Sequence, residues 1–187
     1  TANWIYGQSV SAFSATAKYG TIAIKYVLSN GTETTVRPTN AGTYTVVFYT
    51  TDENCPTVEE EHTFTIAKAT PVFSGAENTY TVTYNGAAFD IPNVVSTSGG
   101  EVTYTIKLGS EAVTEIVGAG EYIITYSVAE NENYTAGTTN VAVTVKSATI
   151  SFESAPVIES WTFNQDAELP IVKVTQSFVE NDEVYFE

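Results

Sequence analysis

Hydrophobic and polar residues alternate along most of this chain, which is the pattern of half-buried β-strands. The clearest examples are segments 22–28 and 102–108, in each of which every second residue is apolar. Because the side chains of a strand point alternately to its two faces, this period places one face of each segment on a core. The turns Asn30-Gly31 and Gly109-Ser110 follow, and Asn-Gly is a strong hairpin signal. The pattern predicts paired strands and contains no helical period.

The strand pattern repeats along the chain with a spacing of 78 to 80 residues. An opening motif of an apolar residue, a spacer and an aromatic residue occurs at Trp4-Ile5-Tyr6, Val82-Thr83-Tyr84 and Trp161-Thr162-Phe163. Looser alternation follows each opening and predicts strands near Val10–Ala17, Phe89–Val95 and Leu169–Val174. A period of this length is typical of separate domains rather than of stacked solenoid layers. We therefore predict repeats at residues 1–69 and 70–148 and an incomplete third repeat at residues 149–187.

A Gly-x-Tyr motif marks the entry to one strand in each of the first two repeats. Its glycine and tyrosine are Gly42 and Tyr44, then Gly120 and Tyr122. The motif resembles the tyrosine corner of immunoglobulin-type sandwiches, where the tyrosine hydroxyl bonds to backbone a few residues upstream. Where those domains carry a core cysteine two residues later, this chain has Val46 and Ile124. The resemblance implies an all-β fold of tandem, elongated immunoglobulin-like β-sandwich domains, with the four motif residues in structural roles.

Several motifs together resemble one family of bacterial domains. They are the aromatic-Tyr-Gly opening, the Gly-Thr-Tyr-Thr-Val strand, an Asn-Tyr loop and the closing Lys-Ala-Thr-Pro at residues 68–71. This set is similar to the MBG-type immunoglobulin-like repeats of large bacterial surface proteins. The resemblance covers two near-complete repeats and part of a third, and Cys55 departs from the usual loop tyrosine. It implies tandem arrays on a bacterial cell surface or in a secreted protein.

The charge and cysteine content exclude several functional classes. The formal net charge is −15, and the chain has no basic stripe, so phosphate backbones and anionic membrane surfaces are repelled. We expect no nucleic-acid partner and no membrane partner. Cys55 is the single cysteine, so no disulfide can form within the chain. No apolar run has the length of a membrane span, and the opening Thr1 indicates a segment of a longer protein.

No set of residues in the sequence has the composition of a catalytic site. His62 is the only histidine, and neither a second histidine nor a second cysteine exists to complete a metal or nucleophile site. Arg37 is a single guanidinium, too little for an anion clamp. Trp4 and Trp161 could stack on a sugar ring, but Val82 holds the same place in the second repeat. A position that accepts either Trp or Val is more typical of packing than of ligand binding. Because the sequence contains no catalytic set of residues, we expect that the protein is not an enzyme.

The acidic clusters suggest calcium more than catalysis. Asp52, Glu53 and Asn54, or alternatively Asn181, Asp182 and Glu183, could supply oxygen ligands, although no EF-hand loop is present. Such loops are common without calcium, so no cofactor or metal is assigned. The sequons at Asn30 and Asn133 are interpreted as turn chemistry. Lys68 and Lys146 lie at repeat ends, which disfavours an isopeptide cross-link.

These observations predict a stalk, spacer or adhesion scaffold. The alternative is a module that binds a host glycan or a surface protein through exposed loops and aromatic residues. We expect a monomer in the native array. Residues 150–187 make up less than half a sandwich, and so few strands do not offset their chain entropy alone. Two explanations stay open for this segment, namely docking on the second repeat and self-association with another copy.

Overall fold

The computed structural model describes residues 3–54, 56–152, 172–176 and 179–184, and from residue 151 onward it describes the backbone alone. In this part of the chain every regular element is a β-strand, and no helix occurs. The strands form sheets in a sandwich-like arrangement. The all-β prediction is therefore confirmed.

The first repeat contains one five-stranded sheet. Its strands are β1 (Asn3–Ile5), β2 (Ile22–Val27), β3 (Glu33–Thr34), β4 (Gly42–Thr50) and β5 (Glu59–Ala67). Their order in the sheet is β1-β5-β4-β2-β3. All neighbours are antiparallel except β1 and β5, which run parallel. The predicted Asn30-Gly31 turn joins β2 to β3, and Gly31 has the positive φ that such a turn requires.

The second repeat contains a five-stranded sheet and a two-stranded sheet. Its strands are β6 (Phe73–Ser74), β7 (Thr79–Thr83), β8 (Val95–Ser96), β9 (Val102–Leu108), β10 (Glu111–Val113), β11 (Gly120–Val128) and β12 (Gly137–Lys146). The large sheet has the order β10-β9-β11-β12-β7, and β6 pairs with β8. The three central strands follow the order of strands C, F and G in immunoglobulin sandwiches.

The first two repeats share the register of their parallel strands. Trp4 of β1 pairs with Ile66 of β5, and Val82 of β7 pairs with Val145 of β12. These are the residues that the sequence motifs align. Since one residue of slip would turn every side chain to the other face, the shared register shows that the two repeats are built alike.

Three strands are described in the third predicted repeat: β13 (Ser151–Phe152), β14 (Val172–Gln176) and β15 (Val179–Val184). They form an antiparallel sheet in chain order. Phe152 pairs with Val174, just as Phe73 pairs with Ser96 in the second repeat. Trp161 lies outside the described residues, as does Cys55.

Alternating side chains of the central strands build the cores. In the first repeat the buried cluster consists of Tyr26, Val46, Phe64 and Ile66. In the second, β11 and β12 bury every second residue, namely Tyr122, Ile124, Tyr126, Val128, Val141, Val143 and Val145. The period-of-two prediction is therefore confirmed for these strands.

Two strand predictions need correction. Residues 10–17 form no regular strand, and the predicted strand at Phe89–Val95 is reduced to β8. The physical reason is pairing: β8 has β6 as a partner, whereas no described strand pairs with residues 10–17. On β9, Tyr104 and Leu108 are 49% and 38% exposed, and Ile106 is the fully buried residue of that face. Only the middle of β9 therefore lies under the core.

The Cα atoms group into two compact units. The first comprises Thr1–Ser74, Val94–Thr103 and Ser127–Thr138, and the second comprises Gly75–Asn93, Tyr104–Tyr126 and Thr139–Glu187. The first unit thus takes in one group of loops from the second repeat. The boundaries at 1–69, 70–148 and 149–187 follow the sequence repeats and stay predictions.

Candidate functional site

Both motif tyrosines fold back onto the chain that precedes their strands. Tyr44 donates its hydroxyl hydrogen to the carbonyl of Asn40 over 3.0 Å, and Tyr122 donates to the carbonyl of Gly118 over 2.8 Å. In each case the acceptor is four residues upstream, as the Gly-x-Tyr motif predicts. The bond ties the loop to the strand that follows it. The assignment of these two contacts as tyrosine corners is an interpretation based on the resemblance to immunoglobulin-type sandwiches.

The motif glycines permit a close approach of side chains. A Cβ atom at Gly42 would lie 2.8 Å from the hydroxyl oxygen of Tyr44, so a larger residue would displace that ring. At Gly120 the obstacle is Leu108, whose Cδ1 atom would be 2.8 Å away. The two glycines are therefore needed for different contacts. Val46 and Ile124, which hold the place of the core cysteine, are buried to 1% and 0% exposure.

A hydrogen-bonded network surrounds the first tyrosine motif inside the first compact unit. The side-chain oxygen of Asn133 accepts the backbone N–H of Ala41 over 2.9 Å. The side-chain amide of Asn40 donates to a carboxylate oxygen of Glu132 over 3.0 Å. The segment that holds the Tyr44 acceptor is thus also bonded to loop 130–135. We call this set of contacts the junction network.

The same loop is tied to the segment that closes the first repeat. Ala69 donates its backbone N–H to the carbonyl of Asn133, and the N–H of Thr135 donates to the carbonyl of Ala69, both over 2.9 Å. Lys68 lies 3.4 Å from Glu130 as an ion pair. Tyr134 meets Tyr6 edge to face, with ring centroids 5.5 Å apart. The junction network therefore joins backbone, charge and aromatic contacts.

Asn131 shapes the loop that presents these groups. Its side-chain oxygen accepts the N–H of Asn133 and of Tyr134, over 3.0 and 2.9 Å. The turn chemistry predicted at the second sequon is therefore present, and Asn133 uses its own side chain for bonding within the protein. At the first sequon, Asn30 accepts the N–H of Thr32 over 2.9 Å.

Trp4 belongs to an aromatic cluster. Its ring stacks on Phe64 at 5.1 Å and lies 6.0 Å from Phe13. The guanidinium carbon of Arg37 sits 4.8 Å from the Trp4 ring centroid, within the range of a cation–π contact. The Nη1 atom of Arg37 donates to the carbonyls of Val10 and Ser11 over 3.3 Å. The contacts of Trp4 are therefore packing contacts, in agreement with the presence of Val82 at the equivalent position of the second repeat.

A cavity of about 490 Å³ opens beside this cluster in the first repeat. Phe13, Phe48 and Phe64 supply its apolar wall, and Thr50 and His62 supply part of its polar rim. The residues at equivalent places of the second repeat are all buried, namely Tyr126 for Phe48, Val128 for Thr50 and Val141 for His62. At the last two places the second repeat also has the more apolar side chain. The two repeats share a fold but differ at this point.

The remaining polar candidates are engaged in local structure. His62 has a side chain that is 58% exposed and lies 3.3 Å from Glu60. Asp52 accepts the N–H of Asn54 over 2.8 Å, which is a turn contact. Within the described residues, no group of three or more His, Cys, Asp or Glu side chains could hold a metal ion. Asn181, Asp182 and Glu183 lie inside β15, so their interpretation as a loop is wrong.

Among the residues whose side chains the structure describes, three groups have shifted pKa values. Burial raises the pKa of Tyr126 and of Tyr44, and the nearby Glu132 carboxylate adds to the effect at Tyr44. Hydrogen bonds to Glu33 and Glu59, at 3.1 and 3.2 Å, raise the pKa of Lys25. All three shifts favour the protonation state present at neutral pH, so none of these groups is prepared for proton transfer.

Comparisons with known proteins give low similarity. No protein-family model matches the chain, and no curated protein matches it significantly. Similar solved structures include the three N-terminal domains of the highly immunogenic outer capsid protein of bacteriophage RB49, with 14% identity, a TM-score of 0.37 and 91% of this chain covered. Drosophila N-cadherin EC1-4 has 14% identity and a TM-score of 0.30 over 83% of this chain. This chain spans 62% and 51% of those two structures.

The junction network was not predicted from the sequence. The sequon at Asn133 predicted turn chemistry alone. A signal was available, because Asn131 and Asn133 alternate just before a tyrosine in a loop between two strong strands. Polar loop residues of that kind often bond to a neighbouring backbone.

Proposed function

We propose that this chain is a non-catalytic segment of tandem immunoglobulin-like repeats that serves as a stalk, spacer or adhesion scaffold. The repeats are of the MBG type and form an elongated array of a bacterial surface or secreted protein. The junction network carries the proposal. It bonds residues 40 and 41 and residues 68 and 69 of the first repeat to loop 130–135 of the second repeat. A spacer needs such a link to keep successive repeats at a fixed separation.

The electrostatics support the same proposal. The net charge of −15 keeps an extended chain soluble and disfavours binding to nucleic acid or to anionic lipid. Every acidic residue for which burial is described is at least partly exposed to solvent, where its charge costs little. The described residues include no helix of the length and apolar character that crossing a membrane requires.

The alternative is a module that binds a host glycan or surface protein. Its support is the aromatic wall of the cavity in the first repeat, since glycans stack on exposed aromatic rings. Against it, the Trp4 ring is already stacked on Phe64 and contacts Arg37.

A glycan array separates the two functions. A spacer is expected to bind none of the arrayed glycans above the level of an unrelated acidic β-protein. Saturable binding that is lost in a Phe48→Ala variant, and retained in a Val36→Ala variant, would replace the spacer with the alternative. Val36 is the matched control because its side chain is 74% exposed and apolar.

A further inference from the structure

We propose that Asn85 is a modification site at which the folded protein deamidates spontaneously, whereas Asn30 is protected from the same reaction. Each of these two asparagines precedes a glycine, and they are the two Asn-Gly pairs of the chain. The inference compares two turns of one chain and does not depend on the spacer function.

The reaction begins when the backbone nitrogen of the glycine attacks the side-chain Cγ of the asparagine. A new C–N bond closes a five-membered succinimide ring, the bond from Cγ to Nδ2 breaks, and ammonia leaves with the proton of the backbone N–H. Water then adds to either carbonyl of the ring and opens it to aspartate or isoaspartate. One water is consumed and one ammonia is released, so no oxidant or further reactant is required. Glycine favours the attack because it has no Cβ atom to crowd the approaching groups.

The two pairs share their local geometry. In each, the side-chain oxygen of the asparagine accepts the backbone N–H two residues further on, over 2.9 Å at Asn30 and 3.0 Å at Asn85. Gly31 and Gly86 have almost the same φ, namely 80° and 79°. All four residues are exposed. Side-chain bonding, glycine conformation and access to water therefore do not distinguish the pairs.

The pairs differ in the state of the attacking nitrogen. Gly31 donates its N–H to the carbonyl of Leu28 over 2.9 Å, inside the turn that joins β2 to β3. The N–H of Gly86 has no hydrogen-bond acceptor among the residues that the structure describes, and residues 84–90 form no regular strand. The nitrogen of Gly31 must give up a hydrogen bond before it can lose its proton and attack. The nitrogen of Gly86 is open to water and base.

The modification changes one end of the second repeat. Asn85 follows Tyr84, whose N–H donates over 2.8 Å to the carbonyl of Lys146, the last residue of β12. Either product adds one negative charge beside this bond, so the formal net charge changes from −15 to −15 − 1 = −16. Isoaspartate also lengthens the backbone by one carbon atom. Gly7 holds the place of Asn85 in the first repeat, so the first repeat is not altered there.

The test incubates the full chain in mildly alkaline buffer and follows each asparagine by peptide mass spectrometry, which detects the exchange of an NH2 group for OH. We expect Asn85 to convert roughly two to ten times faster than Asn30, the ratio that the net free energy of one hydrogen bond gives. Asn78 and Asn93 are internal controls. Each precedes a β-branched residue that crowds the attack, so both should convert more slowly than Asn85.

The denatured chain separates the effect of structure from that of sequence. In guanidinium chloride the Gly31 hydrogen bond is lost, so Asn30 and Asn85 should convert at similar rates. In the folded chain, Asn85→Gln should remove most of the ammonia release, because the longer side chain has to close a less favourable ring, and Asn30→Gln should change it little. Equal conversion of Asn30 and Asn85 in the folded chain, or conversion of Asn85 no faster than that of Asn78, would overturn the proposal. A difference that persists in guanidinium chloride would overturn it too, because the hydrogen bond would then not be the cause.

Discussion

At the scale of single residues, the two tyrosine hydroxyls are the groups on which the fold depends most specifically. Tyr122 is 5% exposed, and its hydroxyl donates to the carbonyl of Gly118, a residue that is itself exposed. Because water reaches that residue, losing the bond costs the net value of an ordinary hydrogen bond and not the larger penalty of a buried unpaired group.

We predict that Tyr122→Phe lowers the free energy of unfolding by about 0.5–1.5 kcal/mol, because the hydrogen bond to the Gly118 carbonyl is lost. Chemical denaturation monitored by circular dichroism measures this change. Tyr104→Phe is the matched control, since Tyr104 is 49% exposed and should change stability little. Equal effects of the two substitutions would show that the hydroxyl bond is not the stabilising feature.

The raised pKa of Tyr126 gives a prediction about alkaline pH. Burial holds the folded pKa above the ordinary value of 10.0, and the hydroxyl donates to the Pro92 carbonyl over 2.8 Å. The stability that this group contributes is complete below pH 10.0 and is lost as pH rises through the raised value. Unfolding free energies measured from about pH 8 to about pH 12 should therefore fall less steeply in Tyr126→Phe. If the unfolding free energies of the native protein and of Tyr126→Phe fell in parallel with pH, Tyr126 would not be the group that causes the loss of stability.

At the scale of elements, the strand pattern was predictable wherever a strand meets both a core and a partner. Strands β5, β11 and β12 follow their sequence alternation because the inward residues of each fill the core of its own repeat, whereas β4 buries the consecutive residues Val46 and Val47. Residues 10–17 alternate too, but alternation does not reveal whether a partner strand exists. The cavity beside Phe48 could not be predicted from the sequence either, because it depends on which residues cover the sheet.

The tyrosine motif was predictable because each bond links a residue to one four positions upstream. The junction network was not, since Asn133 and Ala41 lie 92 positions apart. Contacts between such distant segments depend on how the strands pack, and no local pattern records that.

Arg37 is predicted to hold the irregular segment 6–20 onto the first sheet. Arg37→Lys keeps the charge but loses the planar group that lies over Trp4 and reaches two carbonyls. We expect this variant to lose about 0.5–2 kcal/mol of stability. Hydrogen exchange should then increase at residues 9–13 and stay unchanged on β12. Unchanged exchange at residues 9–13 would show that the aromatic cluster holds the segment without Arg37.

At the scale of the whole molecule, the proposed spacer function requires that the first two repeats keep a fixed distance. Asn133→Ala removes the acceptor of the Ala41 N–H without changing the charge of the loop. Ser98→Ala is a control, because that hydroxyl bonds only to neighbours in its own turn.

The most direct test is a distance measurement by electron spin resonance between labels on Glu61 of β5 and Lys107 of β9, in a Cys55→Ser background. Both positions are exposed and lie on regular strands. We predict one narrow distance distribution in the native sequence and in Ser98→Ala, and a broader one in Asn133→Ala. A broad distribution in the native sequence would contradict the spacer, because repeats that move freely cannot hold a distance.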